Sequence, residues 1–191
     1  MSSSALPRLR SASSQESDSS VDWRTTLTGA GALLAAIALV QLFPALRIEL
    51  FARGAAELIG FFTGAPVSRG ELGWMIPLSG TPVAITIACS ATDFFVLVAT
   101  LLAFQGARRG LTPLTAVALG LAAALPVALV VNAMRIITVA YAHPWLISRL
   151  PPKYESLLHM ATGAAVFLPA LIVLNLLLET YGNRHPRPAR V

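Results

Sequence analysis

The chain has 191 residues, of which 55% are hydrophobic and only 12% charged, and its mean hydropathy is +0.70. This composition excludes an ordinary soluble domain, in which about 25% of residues are charged, and predicts a protein embedded in a bilayer. We attribute the net charge of +5 to anchoring at the inner membrane face, with contact to anionic lipids, and not to nucleic-acid binding. The single cysteine excludes an internal disulfide and a thiolate-rich zinc site. No metal or cofactor is predicted.

Four apolar segments predict an all-α integral membrane protein with about four transmembrane helices. The predicted spans are residues 25–46, 90–107, 112–141 and 155–180. They form one membrane domain over residues 23–182, between a disordered cytoplasmic tail at 1–22 and a basic cytoplasmic tail at 183–191. The long tail before the first span, and the absence of a small-x-small cleavage site after it, favour a retained span over a signal peptide.

Basic residues at the ends of the apolar segments predict the orientation. They are Arg8, Arg10 and Arg24 before the first span, "RRG" at 108–110 and "RHPRPAR" at 184–190. Four spans with both termini in the cytoplasm place all of these groups inside, as the positive-inside rule requires. The segments 47–88 and 143–154 then face outward. We therefore expect a multi-pass protein of the cytoplasmic (inner) membrane.

The first outward segment has periodicities of its own. Residues 51–62, "FARGAAELIGFF", have apolar residues at helical spacing, which predicts a short helix in the membrane interface. The stretch "WMIPLSGTPVAI" predicts a small β-hairpin that turns at Ser79-Gly80, and "PVAITIA" alternates as a strand does. Cys89 follows this strand directly. We therefore place it where an outer strand becomes a descending membrane helix.

Three reactive side chains are predicted to lie at one outer depth. Measured along helices from the inner membrane face, Cys89 lies about 29 Å up, Arg135 about 32 Å and His159 about 30 Å. A bilayer core is about 30 Å thick, so all three reach its outer surface. Each also has an ordinary explanation, because a lone cysteine fills space, an arginine snorkels and a histidine hydrogen-bonds a neighbour. Their common depth makes a shared site the stronger hypothesis.

Polar neighbours support this hypothesis. Asn132 and Arg135 are three residues apart, and Cys89 and Asp93 are four apart, so each pair is expected to share a helix face. A buried Asp93 requires a cation or a donor, for which Arg135 and His159 are the candidates. The alternative is that Asp93 and Arg135 only hold two helices together.

The chemistry of the three residues describes acyl transfer through a thioester. A helix N-terminus beside Cys89 favours its thiolate, and His159 could accept the proton. Arg135 could donate hydrogen bonds to a developing oxyanion in a water-poor site. The predicted catalytic residues are Cys89, Arg135 and His159.

The segments "ACSATDFF", "NAMRIITVAY" and "HMATGAAVF" resemble the three motif regions of the exosortase/archaeosortase family of membrane cysteine transpeptidases. The resemblance covers about residues 83–178, and the "CS-x-x-x-FF" form is similar to the K-type subgroup. It implies that Cys89, Arg135 and His159 are catalytic, with Ser90, Asn132 and Asp93 in support. Ala91 departs from the family pattern, which has glycine after Cys-Ser, and this leaves the loop geometry open. The chain is also shorter than many members.

The resemblance also implies the partners and the reaction. The substrates would be exported, membrane-anchored proteins with a C-terminal sorting signal made of a short motif, one apolar helix and a basic tail. A thiol protease of this kind would release that signal and transfer the protein to a surface acceptor, for which a lipid or a glycan is possible. Two other classes stay open. One is a non-catalytic assembly or binding subunit with a structural polar cluster, and the other is a small transporter, which requires polar residues through the mid-bilayer.

Overall fold

The computed structural model describes residues 23–71, 73–78, 80–147 and 154–184. The predicted tail at 1–22, most of the predicted tail at 183–191 and part of the predicted outer loop, at 148–153, lie outside these residues. A few side chains within the described helices, that of His159 among them, are also outside the described part.

Three long helices dominate the molecule. They are α1 (Trp23–Leu42), α4 (Pro113–Ile147) and α5 (Glu155–Arg184). Each contains an apolar stretch long enough to cross a membrane, at Trp23–Leu42, Pro113–Ala142 and Met160–Thr180 respectively. The predicted membrane character is therefore supported by three helices.

The second predicted span is a helix but a short one. This helix, α3 (Thr92–Arg108), has 17 residues and is about 25 Å long, less than the roughly 30 Å of a bilayer core. Four transmembrane helices are therefore not confirmed. The helix is nevertheless central, because the side chains of Phe94, Phe95 and Val98 are buried in the main apolar cluster.

Close packing between α3 and α4 depends on small residues. A Cβ atom added to Gly120 of α4 would lie 2.9 Å from the carbonyl oxygen of Ala99 and 2.9 Å from the amide nitrogen of Ala103. The two backbones approach too closely for any side chain at Gly120, as small residues allow in membrane helices. Gly120 therefore serves close helix packing.

Two predicted boundaries are wrong. The first helix ends at Leu42 and not at residue 46, and the chain then forms a π-helical segment, Leu46–Ala52, before α2 (Arg53–Thr63). Pro44 follows the end of α1, where a proline cannot donate the next helical hydrogen bond. In addition, α4 continues to Ile147, beyond the end of the predicted span at residue 141.

The predicted interfacial helix is present as α2. Ala55, Ala56 and Ile59 form its buried face, whereas Phe61 and Phe62 at its end are 82% and 72% exposed. Neither ring belongs to the apolar cluster against which Ile59 packs. The two exposed rings contact each other edge to face, with centroids 5.4 Å apart.

A small antiparallel sheet follows α2. Its strands are β1 (Ser68–Gly70), β2 (Gly73–Leu78) and β3 (Thr81–Ile85), in the order β1-β2-β3. The hairpin predicted between β2 and β3 is confirmed, with Leu78 opposite Thr81 on either side of the turn. Strand β1 was not predicted, because three residues are too short for an alternating pattern to be recognised.

Candidate active site

Cys89 lies in a short link between the sheet and α3. A turn of 3₁₀ helix, Ile87–Cys89, follows β3, and the Cys89 amide donates a 2.9 Å hydrogen bond to the carbonyl oxygen of Thr86. The Ser90 amide donates to the Ile87 carbonyl oxygen at 3.0 Å. The sequence prediction that Cys89 lies where strand gives way to helix is confirmed, with this turn inserted between them.

Ala91 determines how the chain passes from the turn into α3. Its backbone is left-handed, with φ of 52° and ψ of 28°, and it is the N-cap residue of the helix. This conformation suits glycine and costs an alanine about 1–2 kcal/mol. The exosortase motif that the sequence resembles has glycine here. The loop geometry that glycine would favour is therefore present, at a cost in free energy.

Replacing Ala91 with glycine should raise stability. Glycine adopts the left-handed conformation without the steric penalty, so we expect Ala91→Gly to increase the free energy of unfolding by about 1 kcal/mol. Thermal unfolding of the purified protein in detergent measures the change. As a control, Ala123→Gly at an exposed position within α4 should lower stability by about 0.5–1 kcal/mol. Equal effects of the two substitutions would show that the Ala91 backbone is not strained.

Asn132 attaches the cysteine turn to α4. This side chain is fully buried, and its Nδ2 atom donates a 2.7 Å hydrogen bond to the carbonyl oxygen of Cys89. The bond joins residues 43 positions apart in the chain. Asn132 therefore positions the cysteine backbone and does not itself face a substrate.

Arg135 lies one helical turn beyond Asn132 and is only 8% exposed. Its guanidinium carbon is 5.2 Å from the centre of the Phe167 ring of α5, a cation–π distance. Phe167 in turn stacks on Phe94 of α3, with centroids 4.6 Å apart. The arginine is thus held where α3, α4 and α5 meet.

Gly163 of α5 makes room for this arginine. A Cβ atom at Gly163 would lie 2.9 Å from the Arg135 Nε atom. His159 precedes Gly163 by four residues, one turn of α5, so its backbone belongs to the same side of that helix. The position of the imidazole lies outside the described side chains.

A cleft of about 490 Å³ lies between the N-terminal parts of α3 and α5. Its polar end is lined by residues from three parts of the chain: Arg47, Ser90, Thr92, Asp93 and Arg135. Apolar side chains that include Leu97, Leu168 and Leu171 line the remainder. The cleft is therefore charged at one end and apolar over the remainder.

The polar end is suited to negative charge. Helix α3 begins here with Ala91, whose methyl group cannot cap the free N–H groups of the first turn. These groups, the positive end of the α3 dipole and the Arg135 guanidinium border the same space. An oxyanion or carboxylate would find both donors and positive potential there.

Asp93 does not take the predicted position. It is exposed at the cleft, and it makes no ion pair or hydrogen bond with any side chain that the structure describes, so the expected pairing with Arg135 is absent there. The expectation that Cys89 and Asp93 share a helix face is also wrong, because the left-handed Ala91 separates them. The exposed Asp93 carboxylate lies in the first turn of α3, where the helix dipole favours a negative charge.

The Cys89 thiol is half-buried and packs against a second apolar cluster that includes Ile85, Ala133 and Ile136. The described lining of the cleft contains its neighbours Ile87 and Ser90 but not Cys89. The structure thus brings Ser90, Asp93 and Arg135 to one cleft and holds the cysteine backbone beside it. It leaves the thiol turned toward the apolar cluster.

Sequence reasoning missed three residues of this site. Arg47 has no motif and reaches the cleft only because the π-helical segment turns back over it. Phe167 was not distinguishable from other apolar residues of its span. Gly163 carried a signal, since it lies in the small-residue stretch "ATGAA" that predicts close packing.

A separate polar contact lies toward the C-terminal end of α3. Gln105 Nε2 donates to Asn175 Oδ1 at 3.3 Å, and Asn175 Nδ2 donates to Glu179 Oε1 at 3.0 Å. Between this contact and the cleft, the buried side chains of α3 include apolar Val98 and Ala99. These apolar side chains separate the two polar groups along α3.

No family model, curated protein or solved structure matches this chain. The function is therefore argued from the geometry of the cleft and from the motif residues around it.

Proposed function

We propose that this protein is a membrane cysteine protease-transpeptidase of the exosortase kind. The observation that carries the proposal is the convergence of the three motif segments. One cleft is bordered by Ser90, Arg135 and Gly163, which come from three different regions of the chain. Ser90 is the neighbour of Cys89, and Gly163 lies one helical turn from His159. A structural cluster would not need an open cleft next to its arginine.

In the proposed reaction, the Cys89 thiolate attacks the carbonyl carbon of a substrate peptide bond, and a C–S bond forms. The oxyanion accepts hydrogen bonds from Arg135 and from N–H groups of the first turn of α3. His159 takes the thiol proton and gives it to the leaving amine as the C–N bond breaks. An amine or hydroxyl acceptor then attacks the thioester, which releases the acyl product and restores the thiol.

This reaction requires the thiol to turn from the apolar cluster toward the cleft. Cysteine has one rotatable side-chain bond, so a change of χ1 rotamer suffices while Asn132 keeps the backbone in place. Substrate entry is expected to favour the turned rotamer by filling the cleft.

The proposed membrane arrangement has four crossings, with α3 as a short span enclosed by the other helices. Both termini lie in the cytoplasm, and the cleft and sheet face the opposite side of the inner membrane. The apolar part of the cleft would then lie at bilayer depth and its polar end at the surface. A substrate with an apolar helix and a preceding motif fits this order, and a lipid or glycan is a suitable acceptor.

Thiol labelling tests this proposal directly, because Cys89 is the only cysteine. A charged maleimide that cannot cross the bilayer is applied to intact inner-membrane vesicles of known orientation across a range of pH. We expect labelling from the outer side at neutral pH, and slower labelling in His159→Ala and Arg135→Ala. Labelling that rises only near pH 8.5, as for an ordinary thiol, and ignores both substitutions would contradict an activated cysteine.

Two relocated cysteines serve as orientation controls in a Cys89→Ser background. Leu114 at the start of α4 and Phe61 at the end of α2 are 81% and 82% exposed, so their reactivities should differ only by side of the membrane. We expect the reagent to label Phe61→Cys and not Leu114→Cys from the outer side. The reverse result would invert the proposed topology.

One observation favours a second function, that of a non-catalytic assembly subunit. The thiol packs against apolar side chains and not into the described part of the cleft. In that case Cys89→Ser would leave the function unchanged, while Arg135→Ala, which removes a buried side chain, would lower stability in detergent. The catalytic proposal expects the opposite for Cys89→Ser, namely loss of processing with normal stability.

A further inference from the structure

Strand β3 lies at the edge of the described sheet. Two prolines, one in β2 and one in β3, determine which of its backbone N–H and C=O groups point away from β2. Pro77 of β2 lies opposite Pro82 of β3, and neither has an N–H group, so they cannot form a hydrogen-bonded pair. The two kinds of pair alternate along an antiparallel ladder, so Met75 and Ala84, two residues farther, are also a non-hydrogen-bonded pair. The N–H and C=O groups of Ala84 therefore point away from β2.

This free edge leads into the candidate active site. From Ala84 the chain passes Ile85, the last residue of β3, and enters the turn at Ile87, which borders the cleft. Three extended residues span about 10 Å. A second chain paired with Ala84 would therefore reach the mouth of the cleft within three or four residues.

We propose that an extended segment of the substrate adds to the sheet along β3 and pairs with the N–H and C=O of Ala84. This inference rests on the proposed function and specifies how the substrate is held. Strand addition supplies main-chain hydrogen bonds that do not depend on side chains, so selectivity comes from the alternate side chains of the added strand. The peptide bond that is cleaved lies three or four residues from the substrate residue that pairs with Ala84.

Pro82 also limits where the added strand can bind. With no N–H at this position, the outer edge of β3 offers its first donor at Ala84, only a few residues before the turn that carries Cys89. A long exposed edge invites aggregation, and a proline is a common way to shorten it. The available edge is thus short and adjacent to the cleft.

The test uses a proline that removes one N–H group. In Ala84→Pro the ring replaces an N–H that β2 does not use, and Val83 before it is already extended, so the sheet should tolerate the change. Ala84→Ser keeps the N–H and is the matched control. Both variants replace the native protein in its host, and uncleaved exported proteins are identified by their C-terminal peptides in the membrane fraction.

We expect uncleaved precursors to accumulate at least about tenfold in Ala84→Pro and not in Ala84→Ser, while the thermal unfolding temperature and Cys89 labelling stay unchanged. Normal cleavage in Ala84→Pro, with cleavage lost in Cys89→Ala, would overturn strand addition and leave the protease intact. Normal cleavage in both would overturn the protease and this inference together.

A crosslinking measurement covers the case in which Ala84→Pro fails to fold. The photoreactive residue p-benzoylphenylalanine is placed at the exposed position 82 of β3, in a Cys89→Ala background that keeps the substrate uncleaved. The same residue at the exposed Ser68 of β1, on the opposite edge of the sheet, is the control. We expect precursor crosslinks from position 82 alone. Equal yields from the two edges would overturn the inference.

Discussion

Replacing Cys89 with alanine should abolish processing of exported proteins. Removal of a nucleophile in a cysteine or serine enzyme costs about 10⁴-fold or more in turnover, because no other group forms the covalent intermediate. We expect uncleaved precursors to accumulate in a host that carries Cys89→Ala, and no thioester adduct to be trapped. Thermal stability should fall by less than about 1 kcal/mol, because the cysteine contributes little buried volume.

Ser90 provides the comparison for this result. The Ser90 side chain is almost fully buried, and its hydroxyl lies 3.4 Å from the Thr92 hydroxyl. Ser90 lines the cleft, whereas Cys89 is not among the described lining residues. If the thiol is the nucleophile, Ser90→Ala should retain most of the processing rate. A full loss in Ser90→Ala with activity in Cys89→Ala would assign the chemistry to the serine and refute the thioester mechanism.

Gly163→Ala should reduce processing about 10²-fold by displacing Arg135. The new methyl group would lie 2.9 Å from Arg135 Nε, closer than atoms in contact allow, so the guanidinium must shift off Phe167. A displacement of about 1 Å at a catalytic group can cost that factor in rate. The measurement is the rate of precursor cleavage in membranes that contain equal amounts of each variant.

A double-mutant cycle separates this effect from simple misfolding. Arg135→Gln should lose about 10²–10³-fold through the missing oxyanion donor. If Gly163→Ala acts through Arg135, the double variant should be no slower than Arg135→Gln alone. Additive losses would mean that Gly163 acts on the fold instead. As a control, Gly31→Ala in α1 places its methyl group where no atom lies within 4 Å and should leave the rate unchanged.

Both predictions separate the catalytic proposal from the assembly alternative. An assembly subunit would lose stability when Arg135 is displaced but would be indifferent to the cysteine. The catalytic proposal expects loss of rate in both cases, with little change in the unfolding temperature for the cysteine. Rate and stability measured on the same membrane preparations therefore distinguish the two.

The amino-acid sequence alone was sufficient for features that depend on local composition and periodicity. Hydropathy identified the three long helices, and the Ser79-Gly80 turn signal between two apolar segments identified the hairpin. Both patterns are local, because each depends only on residues that are close together in the sequence. The same signal predicted helix at Arg135 and His159, and both residues lie within long helices, α4 and α5.

Only the tertiary structure decided which residues share the cleft. The left-handed backbone at Ala91 turns Asp93 away from Cys89, which no spacing rule for helices could reveal. Asn132 reaches Cys89 across 43 positions, and Arg135 lies over Phe167 of another helix. Such contacts depend on how the helices are arranged around one another, and depth along a helix axis carries no information about rotation around it. Sequence therefore determined which segments form the long helices, and packing determined which residues share the cleft.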